Sequence, residues 1–415
     1  MADAPAGAIT VDEAVARMLA LAASRHPGTE TVDLHRALGR VLARDVMAGH
    51  DLPPFANSAM DGFAVRGADL SIHGDTCLRI AGTRYAGDPE TAAIGPGECL
   101  RITTGAPLPS GADTVVIKER VRVEGHVLVV SAGEKAGANV RAAGEDIARG
   151  MRALAAGEVI GAARLGVLAS LGCAHVEVTR QPRAAVLSSG DELVMPGRPL
   201  GHAQIHDSNG FSLAALAAEA GASLVHAPLP FRHVRDDRGV LREVLLAAAA
   251  DADVIITSGG VSAGEKDLLP ALLAELGEVV FWKVRMRPGM PVLCGTLGRT
   301  VVVGLPGNPV SGVVTFLLFV RPLLRALQGI AEPSSPRLHA RLSAPIAKRH
   351  DRAEFMRARL EPHADGTLGV RVLPKQGSGM LHGVVVADAL VVVPEDVREL
   401  DTGHVVEVIA LPAGY

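Results

Sequence analysis

Residues 257–267 read TSGGVSAGEKD, a glycine pair that leaves a β-rich run and enters a helical one. Glycines let a backbone turn tightly and aim amide groups at an anion, and the helix N-terminus behind them adds partial positive charge. That is the chemistry of a phosphate cradle, although the spacing is neither Walker A nor GxGxxG and an unliganded glycine turn reads the same way. Asp267, near the start of the following helix, is suited to hold Mg²⁺ between phosphates or simply to complement the helix dipole. A second loop, GLPGNPVS (304–311), is stiffened by Pro306 and Pro309, with Asn308 at the cap position of the next helix. In FWKVRMRPGMP (281–291), Lys283, Arg285 and Arg287 alternate with Val284 and Met286, so one strand would put all three cations on one face. SSGDELV (188–194) adds Asp191 and Glu192.

Other chemistry is absent from the pattern. Asp61 in NSAMDGFAV and Asp146 in RAAGEDI each read alone as a turn aspartate. No Ser, His and Asp set has triad spacing, and the 15 histidines contain no HExxH pair. Cys77, Cys99, Cys173 and Cys294 form no CxxC, which argues against a zinc site or a disulfide framework and fits a reducing cytoplasm. A net charge of -4 gives no basic field for nucleic acid or an anionic membrane. The N-terminus lacks the apolar core of a secretory signal, and the apolar run Val310 to Val320 is about half a bilayer span, so it is expected to be a buried helix.

The elements that must carry these loops follow from periodicity. Thr10 and Glu13 have capping-box spacing ahead of a helix through Ala23, and a second helix over Ile160 to Leu171 is expected to pack with it. Between them lies a region of glycine and proline turns with short β-rich runs, including a hairpin around Glu124 and Gly125. Strands at Ala184 to Leu187, Val254 to Thr257 and Thr300 to Leu305 alternate with helices at Asn209 to Ala220, Asp237 to Ala250 and Pro309 to Leu327. This is a βαβ pattern that predicts a parallel sheet with its ligand at the carboxyl ends of the strands. Beyond Pro333, runs such as Arg337 to Leu342, Val384 to Val393 and Val405 to Leu411 predict a barrel-like β domain. The expected division is a discontinuous linker domain (1–46 and 146–179), an inserted β domain (47–145), an α/β domain (180–330) and a C-terminal β domain (331–415).

The strings PPFANSAMDGFAV (53–65), RITTGAPLPSGADTVV (101–116), GEDI (144–147), SSGDELV, SGGVSAGEKD, MRPGMP (286–291) and GLPGNPVS together resemble the molybdopterin molybdotransferase family, of MoeA and gephyrin E-domain type. They occur in family order over nearly the whole chain. The resemblance implies an elongated cytoplasmic homodimer that uses molybdate to release AMP from adenylylated molybdopterin, with Mg²⁺ as cofactor and the other subunit's β domain closing the cleft. It implies ligand contacts at Ser258, Gly259, Gly260, Ser262, Pro306, Gly307 and Pro309, with Thr104 beside the cleft. Functional acids would be Asp61, Asp146, Glu192, Asp236 and Asp267, of which Asp267 and Glu192 would hold the metal. Lys283 and Arg287 match basic positions for molybdate or phosphate, and Arg352, Arg357 and Ser378 match the last domain's contribution.

Many family members carry KPGK or RPGK where this chain has Arg287, Pro288, Gly289 and Met290. A thioether cannot hold an oxyanion as a lysine does, so Arg285 or an arginine of the last domain is expected to compensate. Implied partners are a molybdopterin adenylyltransferase upstream and molybdoenzyme apoproteins or their chaperones downstream. Two other roles fit the α/β domain alone, adenylyltransfer to molybdopterin and non-catalytic carriage of it. The segments around Asp61 and Thr104 argue against the first; Met290 favours the second, but Asp61 and Asp267 argue against it, since a passive binder of an anion gains nothing from added carboxylates.

Overall fold

Val254–Ser258 and Thr300–Leu305 are runs of β-branched and aliphatic residues buried on both faces, which only the interior of a covered sheet accommodates. The computed structural model describes residues 7–88, 93–226, 229–261 and 268–411, and in it these two strands pair in parallel at the centre of a seven-stranded sheet. Arg183–Ser189 extends the parallel part on one side, with Ser188 opposite Ser258. On the other side the sheet departs from the expected all-parallel form. Leu293–Leu297 pairs antiparallel with Thr300–Leu305, and Glu278–Trp282 pairs antiparallel with Leu293–Leu297. The tight turn at Gly298 (φ 61°) explains the reversal, because a crossover helix needs more chain than these few residues supply.

Helices Asn209–Glu219, Arg238–Asp251 and Leu269–Leu276 cover the faces, and Pro309–Leu327 runs as one long helix with a π turn over Phe316–Val320. That last helix is long and apolar enough to cross a membrane, but it is mostly buried in the protein, where Phe316, Phe319 and Leu324 fill the core. Thr10 caps Val11–Ala23 by accepting from the Glu13 amide at 3.2 Å. Here too the structure differs from the expectation. This helix buries Val11, Ala14, Met18 and Ala22 against the long helix, whereas the second helix, Ala162–Ser170, buries Leu168 in a separate cluster with Leu42, Ile160 and Val178. The two helices do not pack together. What joins the two halves of the linker region is instead the antiparallel pair Thr29–Asp33 with His175–Thr179.

The inserted region forms a six-stranded sheet in which Gly62–Val65 lies between Thr114–Ile117 and Glu98–Ile102, and Val121–Glu124 and Val127–Val130 make the expected hairpin across Gly125. At the C-terminus, strands Arg337–Leu342, Ala353–Pro362, Leu368–Val372, Ala389–Val393 and Val405–Ala410 close on themselves as a five-stranded barrel. The run expected as one strand from Val384 begins instead as a helical turn, His382–Val385.

Candidate functional site

Three loops meet at the carboxyl ends of the parallel strands. The register that sets Ser188 opposite Ser258, and Ser258 opposite Leu305, brings the 188–194, 258–261 and 305–309 loops to one edge. The Gly259 amide donates to the Leu305 carbonyl at 3.0 Å, and the Ser189 hydroxyl donates to the Ser258 carbonyl at 3.2 Å. Gly259 (φ 89°) and Gly260 (φ 69°) both use the left-handed region, and a Cβ on Gly259 would lie 2.8 Å from the Ser189 carbonyl oxygen. Gly304, one residue before the second loop begins, has Val261 against it, where a Cβ would come within 2.5 Å of the Val261 side chain. Gly259 is therefore required by close approach as well as by turning, and Gly304 by close approach alone. Asn308 stands at the helix cap position but its side chain makes no capping bond.

The loops enclose a cavity of about 450 Å³ lined by Glu192, Asp236, Ser258, Gly259, Gly260 and Gly307, with Pro309 and Asn209 at its wall. Pro306 is buried directly behind Gly307. Among the described residues that line it there are carboxylates and no lysine or arginine, so the described groups able to donate to an anion there would be chiefly amides, hydroxyls and helix ends. Ser262 and Asp267 lie outside the described residues. A slightly larger hollow, about 520 Å³, separates the start of the first helix from the barrel, but Arg337 there is paired with Glu407 and Asp12, and Glu395 with Arg285. Its charges are spent, which leaves the loop cavity as the candidate.

The expected row of cations is broken. The strand ends at Trp282, and Lys283 adopts φ 74°, because Ile9 pairs alongside Val284 and draws the chain away from the sheet. Glu278–Trp282 points the same way as Thr300–Leu305, so Lys283 emerges at the cleft's end of the sheet, two strands across, roughly 10 Å away. Its ammonium lies 4.5 Å over the Trp282 ring, whose indole nitrogen donates to the Val261 carbonyl at 3.0 Å. Arg285 and Arg287 leave the α/β sheet altogether. Met286–Arg287 adds in parallel to the barrel strand Ala353–Pro362; Arg287 approaches the buried Glu354 at 3.6 Å and Arg285 meets Glu395 at 2.7 Å. Arg352 reaches the Met290 sulfur with its guanidinium at 3.7 Å.

Arg357 is almost wholly buried, and its guanidinium donates to the carbonyls of Lys375, Gly377 and Met380 and to the Gln376 side chain. It offers no donor to solvent. Its effect is to brace the loop that carries Ser378, whose carbonyl accepts from the Val310 amide at 3.1 Å, beside the cleft.

On the inserted sheet, Asp61 accepts from the Thr104 amide and hydroxyl, both at 2.9 Å, and from Lys118 at 3.2 Å. These donors, the Thr104 amide foremost, lower its pKa from 3.8 to about 2. Because the folded-state pKa is depressed, the stabilising contribution is present above the ordinary value and is lost as pH falls through about 2. Asp61 is thus a fixed anion at neutral pH and not a proton donor. NMR titration should give a carboxyl midpoint near 2, moving up towards 3.8 in Thr104→Ala but stopping short of it, since the backbone amide remains. A wild-type midpoint at the ordinary value would contradict this reading. Asp146 lines a separate cavity of about 490 Å³ with Asn57, Arg141 and Ser170. Neither Asp61, Thr104 nor Asp146 lines the α/β cleft within one chain.

Two participants escape sequence reasoning. Lys118 has no motif around it, and Asn209 is simply the first residue of a helix, yet its side-chain amide bridges the Ser258 hydroxyl at 2.8 Å and the Gly307 carbonyl at 2.7 Å.

Three family models match the chain in succession. Residues 9–172 match the model for the MoeA N-terminal region (domains I and II), 185–326 that for a probable molybdopterin binding domain, and 339–411 that for the MoeA C-terminal region (domain IV). A molybdopterin molybdenumtransferase of Haemophilus influenzae is 35% identical over 405 residues, covering 96% of this chain and 98% of that protein. Molybdopterin molybdenumtransferase 2 of Mycobacterium tuberculosis is 39% identical over 389 residues, covering 91% and 94%. The crystal structure of a molybdopterin biosynthesis MoeA protein from Pyrococcus horikoshii superposes with a TM-score of 0.82 at 25% identity, over 98% of this chain and 100% of that one.

Proposed function

This chain belongs to the MoeA family, and from that membership we propose that it is a molybdopterin molybdenumtransferase, which splits adenylylated molybdopterin in a molybdate-dependent step, releases AMP and leaves the metal on the dithiolene. The observation that carries this reading is the meeting of the Gly259 and Gly307 loops on one cavity at the strand ends. Ser258, Gly259, Gly260 and Gly307 would face the phosphates, with Ser262 completing the loop and Pro306 and Pro309 holding the second turn rigid. A preformed cleft of this kind lowers the barrier by fixing both reactants before the phosphoanhydride breaks. Relatives matched over nearly the whole chain carry the transferase name, so the adenylyltransferase and carrier alternatives are not favoured.

Mg²⁺ fits the donor set in a limited way. The described residues contain no group of three acids, histidines or cysteines able to hold a metal alone, but Mg²⁺ commonly uses one or two carboxylates and takes its other ligands from phosphate and water. Glu192 lines the phosphate-facing cavity and would supply one carboxylate, with Asp267 as the second. When bound, the ion would offset charge on the phosphate oxygens. Asp236, at the same wall, would orient the substrate. Lys283, Arg287 and Arg352 would draw in molybdate, the second anion, against its repulsion by the first. Asp61, Thr104 and Asp146 would reach a cleft only across subunits, so the reading includes a cytoplasmic homodimer in which one protomer's inserted domain covers its partner's loops. An adenylyltransferase would supply its substrate, and apoenzymes or their chaperones would take its product.

The test is reconstitution with adenylylated molybdopterin, Mg²⁺ and graded molybdate, scored for AMP and for activation of a molybdoenzyme. AMP release should rise and saturate with molybdate; release independent of molybdate would overturn the assignment. Met290 provides a second handle. Arg285 is engaged by Glu395, whereas Arg352 touches Met290, so Arg352 is the arginine placed to stand in for a lysine there. Met290→Lys should tighten molybdate binding by about tenfold, the equivalent of one charge-assisted hydrogen bond, and calorimetric titration of molybdate would measure it.

A further inference from the structure

Asn209 joins the two loops of the cleft through one nitrogen. The Gly307 carbonyl can only accept, so the amide atom 2.7 Å from it must be Nδ2, and this fixes the orientation of the side chain. The second Nδ2 proton then goes to the Ser258 hydroxyl oxygen at 2.8 Å. An oxygen that accepts there has its own proton left to give, and Ser258 has no acceptor for that proton among the described residues. The neighbours lock this arrangement. Asp207 accepts from the Gly210 amide at 2.9 Å, holding the helix start, and Phe231 packs so closely on Gly210 that a Cβ there would lie 2.3 Å from its ring.

We propose that Asn209 is the positioning residue that makes the cleft selective for a phosphorylated ligand, by occupying two acceptor oxygens that would otherwise repel an anion and by turning the Ser258 hydroxyl into a donor. The need for masking follows from the wall, where Glu192 and Asp207 already place carboxylates. Each further unpaired oxygen facing a phosphate adds repulsion in a site that no described lysine or arginine lines. Few side chains can substitute. Aspartate has the shape but no donor when ionised, serine has a single proton, and glutamine is one methylene too long. The inference rests on the phosphate-binding reading given under Proposed function.

The test uses the full-length protein with AMP as probe and adenosine, which lacks the phosphate, as control. Wild type should bind AMP more tightly than adenosine. Asn209→Asp should weaken AMP by about 10- to 100-fold and leave adenosine within about twofold. Asn209→Ala should fall between, and it serves should the aspartate variant misfold. Relative to wild type, the Asn209→Asp deficit should shrink between pH 8 and pH 5, because a protonated carboxyl regains one donor; a purely structural lesion would not respond in this way. If both variants fold and bind AMP like wild type, while wild type still prefers AMP to adenosine, the masking role is wrong and the phosphate cleft stands. If wild type shows no preference for AMP, both fall.

Discussion

Replacing Gly259 with alanine is expected to reduce molybdate-dependent AMP release by about 100-fold or more. At φ 89° a side chain costs about 1–2 kcal/mol in backbone strain before any contact is counted. The added Cβ would then sit 2.8 Å from the Ser189 carbonyl oxygen, a distance that real side chains do not sustain, and 3.0 Å from its hydroxyl, a tight contact. Relief requires the Ser258–Gly260 segment to move away from the Arg183–Ser189 strand, and the Gly259 amide would then leave the Leu305 carbonyl that it holds at 3.0 Å. The two loops would part at the point where they jointly face the ligand. A displacement near 1 Å in a positioned site is worth about 100-fold in rate. Gly260 is the internal control. It is also left-handed (φ 69°), but the nearest described atom to its imaginary Cβ is 3.7 Å away, so Gly260→Asn, a residue that tolerates this region, should keep the Gly259–Leu305 bond and lose less activity than Gly259→Ala. Kinetics of AMP release would check both, and a Gly259→Ala enzyme with a third or more of wild-type kcat/KM would refute the close-approach argument.

That contrast between two adjacent glycines marks where sequence reasoning stops. The pattern of apolar strands and capped helices places three loops at one sheet edge, since those signals are local and each loop follows its own strand. The broken cation row was not legible, because the break at Lys283 comes from Ile9, a residue remote in sequence that pairs beside Val284. Arg287 reads as part of an α/β strand but is taken up by the barrel through Met286 and Ala353. Asn209 was invisible for a similar reason. Nothing in its own segment distinguishes a helix-start asparagine from one whose amide ties together Ser258 and Gly307. Periodicity reports what a residue does for its own element, and these residues act on another.

Arg357 brings this distinction to an experiment with a large expected effect. Four of its guanidinium contacts go to the Lys375, Gly377 and Met380 carbonyls and the Gln376 side chain, and Gln376 in turn donates to the carbonyls of Arg357 and Leu373. Removing the side chain would leave those acceptors without donors in a buried setting, at about 1–3 kcal/mol for each that water cannot reach. Arg357→Ala should therefore destabilise the 375–380 loop by about 3–5 kcal/mol, and Arg357→Met, which keeps the length without the donors, by nearly as much. The loop's hold on the long helix would go with it. Hydrogen exchange at the Val310 amide, now donated to the Ser378 carbonyl, should accelerate by about 100-fold, as a loss near 3 kcal/mol requires. Arg357→Lys, with three donors on a flexible stem, should recover part of that protection. Were Arg357 instead a direct anion ligand, Arg357→Met would lose molybdate affinity with Val310 exchange unchanged. Its burial and its bonds to carbonyls argue for the loop.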